Sequence, residues 1–178
     1  NDTHFGSRND NLNFNEYFYK FYEKVFFPYL QENNIKTCIH LGDLMDRRKF
    51  VSYKTAKDFR ERFILPFKTL EVDLHIMIGN HDTFYKNTND VNCVEELLGD
   101  RHKNIKIYPE AEDVKFDGTK ILFLPWINSQ NTIYSEDMID KTTADICMGH
   151  LEIAGFQMMR GIKNEHGISK SIFRKFDS

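Results

Sequence analysis

Four short motifs bring together carboxylates, imidazoles and an amide, which are side chains that bind metal ions. They are Asp2-Thr3-His4, Gly42-Asp43-Leu44-Met45-Asp46, Gly79-Asn80-His81-Asp82 and Gly149-His150. Oxygen and nitrogen ligands without thiolates suit Mn²⁺, Fe²⁺ or Zn²⁺. Several aspartates in one cleft would repel each other unless cations lay between them. Because two cations can clamp a phosphate for in-line displacement, the ordered set predicts a two-metal phosphoesterase site.

Short apolar runs that read as β-strands precede the last three motifs, at residues 37–41, 74–78 and 145–148. Helical spacing covers residues 14–31, 52–70 and 92–98, with Pro28 and Pro66 near the ends of the first two. Further strands are predicted at 105–108, 114–116 and 121–124, the last two joined by a turn at Asp117-Gly118. Strands alternating with helices predict βαβ units followed by an antiparallel portion. In such sheets, sites form where several strand ends converge.

The composition is that of a soluble globular domain, with 40% hydrophobic and 29% charged residues. No apolar run approaches the roughly 18 residues that span a bilayer, and we expect no membrane contact. The three cysteines lack C-x-x-C spacing, which predicts reduced thiols in the cytoplasm and no zinc site. The formal net charge of −3 gives no support to sequence-independent binding of nucleic acid.

The motifs together resemble the pattern of the calcineurin-like metallophosphoesterases, which runs D-x-H, G-D-x-x-D, G-N-H-D/E, G-H and G-H-x-H. Within that superfamily the chain is similar to the SbcD-type DNA repair nucleases, and among these to the nuclease subunits of tailed-phage recombination endonucleases. The narrower resemblance is carried by Tyr85-Lys86-Asn87, Leu124-Pro125-Trp126, Gly149-His150-Leu151-Glu152 and Gly155-Phe156. It implies an α/β fold, a metallophosphoesterase sandwich of mixed β-sheets flanked by helices.

The resemblance also implies which residues would hold two divalent ions, with Mn²⁺ as the expected metal. Asp2 and His4 would hold the first ion, and Asp43 would bridge both. Asn80 and His150 would hold the second ion. The nucleophile would be metal-bound hydroxide, without a covalent enzyme intermediate.

Catalytic roles follow from the same resemblance. His81 would stay off the metals and would stabilise the transition state or protonate the leaving oxygen. Asp46 would hydrogen-bond His81 and set its tautomer. Arg47 and Lys86, which follow the second and third motifs, are candidates for contact with a phosphate or the DNA backbone. The alternative for both is an ordinary solvated charge.

The remaining histidines are assigned differently. His40, His75 and His102 are predicted to be structural or surface residues. His166 lies in a loop beyond the fourth motif, where a ligand role stays open.

One departure from the family pattern is large. Nothing after His150 matches G-H-x-H, which would supply one more histidine to each metal, and the strand that should end at Asp2 is absent. We therefore expect residues 1–178 to be a partial phosphoesterase domain, truncated at both ends. Such a chain would be inactive alone, with no strand to hold Asp2.

The function implied by the resemblance is a metal-dependent exo/endodeoxyribonuclease in double-strand-break processing and recombination. Its expected partners are DNA, an SMC-like ATPase and, in the complete protein, a second copy of itself. The expected location is the cytoplasm, that of the host if a phage encodes the chain. Two alternatives remain: a phosphatase or small-molecule phosphodiesterase on the same scaffold, and a fragment that binds DNA or the ATPase without cutting.

Overall fold

Two β-sheets, each covered by helices on its outer face, form the body of a computed structural model that describes residues 1–159 and 161–177. The first sheet is parallel, in the order β1 (Thr37–His40), β2 (Asp73–Met77), β3 (Ile105–Tyr108). In the second, β5 (Thr119–Leu124) pairs antiparallel with β4 (Glu112–Phe116) and parallel with β6 (Ile146–Gly149). A small hairpin follows, β7 (Gln157–Met159) with β8 (Ile162–Lys163).

Two long helices pack on the first sheet, and each contains a π-helical turn. Helix α1 comprises Leu12–Phe21, the π turn Tyr22–Phe26 and Phe27–Glu32. Helix α2 comprises Tyr53–Phe59, the π turn Arg60–Ile64 and Leu65–Thr69. The other α-helices are α3 (Cys93–Leu98) and α4 (Thr132–Lys141), and shorter turns lie at Ser7–Asp10, Gly99–Arg101 and Lys170–Phe173.

Each π turn ends two residues before a proline, Pro28 in α1 and Pro66 in α2. A proline ring clashes with the carbonyl group four residues earlier and cannot donate a hydrogen bond. The wider turn accommodates it, and the N–H of Phe27 donates to the carbonyl of Tyr22, five residues back. The sequence analysis placed both prolines near the helix ends, and each helix ends within about one turn of its proline, at Glu32 and Thr69.

Alternation along the strands separates the core into layers. Leu74 and Ile76 of β2 face α1 and α2, whereas Met77 faces the second sheet. Phe123 of β5 lies between the two sheets, and Leu122 packs outward, in one apolar cluster with α4. The predicted sandwich of mixed sheets flanked by helices is therefore confirmed.

Differences from the sequence prediction are mostly shifts of one or two residues at element ends. Helix α4 is the main element that the prediction missed. Its sequence buries only Ser135 and Ile139, and no side chain caps its start, so the usual signals of an amphipathic helix are weak. By contrast, Asn11, Ser52 and Asn92 cap the starts of α1, α2 and α3 with side-chain oxygens. Among the helices in the described ranges, none has the length and apolar character needed to cross a bilayer.

Candidate metal centre

Asp43 lies at the centre of the motif residues, in the loop that follows β1. It is 4% exposed and has a left-handed backbone with φ of 55°. Its Oδ1 accepts a hydrogen bond from the N–H of His81 at 2.8 Å. A Cβ on Gly79 would lie 2.2 Å from the Asp43 nitrogen and 2.3 Å from its Oδ1. The loops after β1 and β2 thus meet only because residue 79 has no side chain.

The first motif lies against the second through backbone hydrogen bonds. The N–H of Asp2 donates to the carbonyl of Gly42 at 3.0 Å, and that of His4 to the carbonyl of Asp43 at 3.1 Å. Phe5 then forms a parallel bridge with Met45. The sequence analysis expected no strand to hold Asp2, and in the structure the backbone of the loop after β1 holds it.

His40 holds the first motif in place through hydrogen bonds to Gly42 and Thr3. Its Nδ1 accepts from the N–H of Gly42, so Nε2 carries the proton and donates to Thr3 Oγ1 at 3.2 Å. The Thr3 hydroxyl in turn donates to the carbonyl of Leu44. Burial holds the pKa of His40 well below its ordinary value, so the ring stays neutral. His40 is structural, as predicted, and it positions the first motif.

His150 enters the centre from the end of β6. Its Nδ1 donates to the carbonyl of Leu41 at 3.0 Å, which leaves a lone pair on Nε2. That Nε2 lies 2.9 Å from Oδ1 of Asn80 and 3.4 Å from Oδ1 of Asp43. Three acceptor atoms therefore point at one another, an arrangement that a cation between them would stabilise.

His81 and Asp46 are neighbours, as expected, but through different atoms. The Nδ1 of His81 lies 2.7 Å from the backbone carbonyl oxygen of Asp46. The Asp46 carboxylate lies beside His4, with Oδ1 at 3.7 Å from its Nδ1. The main chain of Asp46 therefore sets the tautomer of His81, and the carboxylate of Asp46 faces a different histidine.

Two groups of ligand atoms lie close enough to hold ions. His4, Asp43 and His81 form one group, and Asp2, Asp43 and His150 form the other, with all atoms of a group within 4.8 Å of one another. Asp43 belongs to both, which is the position expected of a bridging carboxylate. In addition, Oδ1 of Asp2 lies 3.9 Å from Nε2 of His4, so Asp2 lies close to both His4 and His150.

The donor set fits divalent cations. The Nδ1 atom of His4 is buried and has no hydrogen-bond partner in the described structure, while its Nε2 faces Asp43 at 3.5 Å. Histidine nitrogens and carboxylate oxygens that converge in this way suit a divalent metal ion. Asp43 would then be shared by two ions, with Asn80 adding an amide oxygen.

Asp82 performs a role that the sequence analysis did not assign. It is fully buried, and its two oxygens accept from the N–H groups of Leu44, Met45 and Gly79 at 2.8, 3.1 and 2.9 Å. Burial raises the pKa of its carboxyl to about 6, against the effect of these hydrogen bonds. Asp82 therefore ties the loop after β1 to the loop after β2, and a signal for this was its place within the third motif.

The predicted substrate contacts have different surroundings. Arg47 is paired with Asp10 at 3.2 Å and with Asn9 at 2.7 Å, so its guanidinium already has partners. Lys86 is exposed, just beyond the third motif. His166 is exposed and belongs to neither ligand group, and the cysteines are free thiols, as predicted.

Comparisons with known proteins found the following similarities. A family model described as "Calcineurin-like phosphoesterase" matches residues 1–172. Exonuclease subunit 1 of Enterobacteria phage T4 is 34% identical over 148 residues, which cover 83% of this chain and 43% of that protein. The chain thus spans less than half the length of this relative. A solved structure of a protein of unknown function from Aquifex aeolicus shares 19% identity with a TM-score of 0.43, over 90% of this chain and 78% of that one.

Proposed function

The chain belongs to the calcineurin-like phosphoesterase family, and from this premise we propose that its metal centre hydrolyses phosphodiester bonds in DNA. The observation that carries the proposal is the pair of ligand groups that share Asp43. The choice of DNA is supported by the T4 relative, whose name describes an exonuclease subunit.

The proposed roles of the motif residues are metal binding and proton transfer. Asp2, His4, Asp43, Asn80 and His150 would hold two divalent cations, for which we propose Mn²⁺. When bound, the cations would neutralise the phosphate and lower the pKa of a water molecule.

His81 would act on the substrate. Its Nδ1–H donates to the Asp46 carbonyl, which fixes the ring orientation. In the doubly protonated ring, the second proton, on Nε2, would go to the leaving oxygen. Hydrogen bonds to Asp82 would hold together the two loops that carry these residues. The Asp46 carboxylate, beside His4, would orient a ligand to the metal.

Hydrolysis assays test this proposal. The full-length protein is incubated with Mn²⁺ and either linear duplex DNA or a small phosphomonoester, and products are separated on gels or measured by released phosphate. We expect DNA cleavage that EDTA abolishes. Intact DNA together with hydrolysis of the phosphomonoester would overturn the nuclease proposal and indicate a phosphatase.

Metal titration provides an independent check. We expect two Mn²⁺ ions per chain by calorimetry, with the matched Asp43→Ala protein binding neither tightly. No bound ion in the unmodified chain would contradict a metal centre and would favour a module that binds without cutting.

We further propose partners for the complete protein: an SMC-like ATPase and a second copy of this chain. The name of the T4 relative, a numbered subunit, supports an assembly of several chains. A surface on α1 supports the second copy, because Tyr17, Phe21, Val25 and Tyr29 recur every four residues and are 47–73% exposed. A contiguous apolar stripe of this kind typically marks an interface. The phage relative also supports the host cytoplasm as the place of action.

A further inference from the structure

Two exposed aromatic side chains directly follow the third motif. Phe84 and Tyr85 are 36% and 51% exposed, and their rings contact each other edge to face at 4.8 Å between centroids. Only two residues separate Phe84 from the candidate acid His81. The exposed parts of these rings are therefore free to contact a ligand.

The segment that carries these rings is held firmly. The Nη1 of Arg48 donates to Thr83 Oγ1 at 2.9 Å and to the carbonyl of Tyr85 at 3.3 Å, and its guanidinium lies 5.0 Å from the Trp126 ring centroid. The N–H of Phe84 donates to the carbonyl of Val91 at 2.8 Å. The rings are therefore presented by an ordered backbone, which lowers the entropy lost when a ligand binds.

Positively charged side chains lie near the rings. The Nζ of Lys49 lies 5.4 Å from the Phe84 ring centroid, and Lys86 follows Tyr85 on the exposed segment. Phe84 also lines a groove of about 270 Å³ together with Lys49 and the exposed Phe50. Aromatic faces interleaved with lysines match a ligand that alternates flat bases with phosphates.

We propose that Phe84 and Tyr85 form a stacking platform for unpaired bases of single-stranded DNA beside the metal centre. The platform rests on the proposed nuclease function and adds the residues that position its substrate. In a stacked duplex the base faces are covered, so only an unpaired segment can use the rings. Lys49 and Lys86 would bind the phosphates on either side.

Fluorescence anisotropy with a labelled oligothymidylate tests the platform, with EDTA present so that no hydrolysis occurs. Because stacking on an aromatic side chain strengthens binding considerably, Phe84→Ala and Tyr85→Ala should each raise Kd about fivefold or more. Tyr85→Phe, which keeps the ring, should stay within about twofold of the unmodified protein. Tyr53→Ala is the matched control, since Tyr53 is 96% exposed at the start of α2.

The outcomes separate this inference from the proposed function. If the unmodified protein does not bind the oligonucleotide, or if both alanine variants bind with unchanged Kd, the platform is wrong, whatever the hydrolysis assays give. Equal losses for a blunt duplex would also overturn it, because the rings would then act on a general surface. Aromatic-dependent binding in a protein that never cuts DNA would support the platform and contradict the nuclease proposal. Circular dichroism of each variant confirms that it is folded.

Discussion

The Nδ1 atom of His81 lies 2.7 Å from the main-chain carbonyl oxygen of Asp46. A carbonyl oxygen can only accept, so Nδ1 carries the proton and Nε2 is the atom left for chemistry. The carboxylate of the same Asp46 lies 3.7 Å from His4. Asp46 therefore lies against two histidines, with its backbone against His81 and its side chain beside His4.

His81→Ala should retain Mn²⁺ binding and lower DNA cleavage by about 10²–10⁴-fold, the usual effect of removing a general acid. Asp43→Ala should lose both binding and cleavage, because Asp43 belongs to both ligand groups. Calorimetric titration with Mn²⁺ and a cleavage assay on each protein check this. Equal loss of metal in both variants would mean that His81, which lies in the group with His4, is itself a ligand.

Asp82→Asn should lower the free energy of unfolding by about 1–3 kcal/mol, since the amide must set an NH₂ group against one of three backbone donors. It should also weaken Mn²⁺ binding, because the loops after β1 and β2 lose their shared acceptor. Urea denaturation gives the stability change. Asp140→Asn, at an exposed position of α4, is the control, and similar midpoints for the two variants would contradict the role of Asp82.

Gly79→Ala should reduce Mn²⁺ affinity at least tenfold, because the new Cβ would displace Asp43 from its present position. Gly118→Ala serves as the control in the turn between β4 and β5, where nothing lies within 4 Å and only the positive φ of 89° opposes a side chain. That variant should lose about 1 kcal/mol of stability and keep its metal affinity. Titration of both proteins with Mn²⁺ measures their affinities. Unchanged affinity of Gly79→Ala would contradict the prediction, because it would show that the loops after β1 and β2 can move apart without loss of metal binding.

Replacing Phe21 or Val25 by aspartate should shift the protein from dimer to monomer, because a charge within the exposed stripe of α1 disfavours burial. Sedimentation velocity over a range of protein concentrations measures the shift. Ile133→Asp is the control, since Ile133 is 84% exposed on α4. A concentration-independent monomer before any substitution would contradict the proposed contact between two copies.

Stability should depend on pH through His75, which lies between the sheets with Nδ1 at 2.6 Å from the Tyr108 hydroxyl. Burial, followed by the charge of Lys106, lowers the pKa of His75 below its ordinary value of 6.5. The unfolded chain therefore binds a proton first as the pH falls. The stability that the neutral ring contributes is fully present above pH 6.5 and is lost as the pH falls from there through the folded-state pKa.

We test the contribution of His75 by measuring denaturation curves between about pH 5 and pH 8. The curves of the unmodified protein are compared with those of His75→Gln. The variant cannot ionise at this position, so below pH 6.5 its free energy of unfolding should fall less steeply than that of the unmodified protein. His40 and the other titrating groups act in both proteins, and their effect cancels in the difference. Parallel curves would show that His75 does not contribute.

The residues of the candidate metal centre could be predicted from the sequence because they lie in short local motifs. Strand-length apolar runs that end in Gly-Asp, Gly-Asn-His-Asp or Gly-His place ligands at strand ends, and strand ends of a parallel sheet meet at one edge. The start of α2 was predicted at residue 52, where Ser52 caps the first turn, whereas α1 begins at Leu12, before the predicted residue 14. Helix α4 was missed because its local signals are weak and its packing on the second sheet determines it.

By itself the sequence determined the types of ligand, their order along the chain and the strands and helices that carry them, because these depend on neighbours within a few residues. Only the tertiary structure decided which atoms meet. It brought Asp2 close to both His4 and His150, placed the carbonyl of Asp46 against His81, and used the carboxylate of Asp82 to join two loops. The physical reason is that these contacts join residues 35 or more positions apart, or depend on the direction of a side chain, and both are set by how the two sheets and their loops pack.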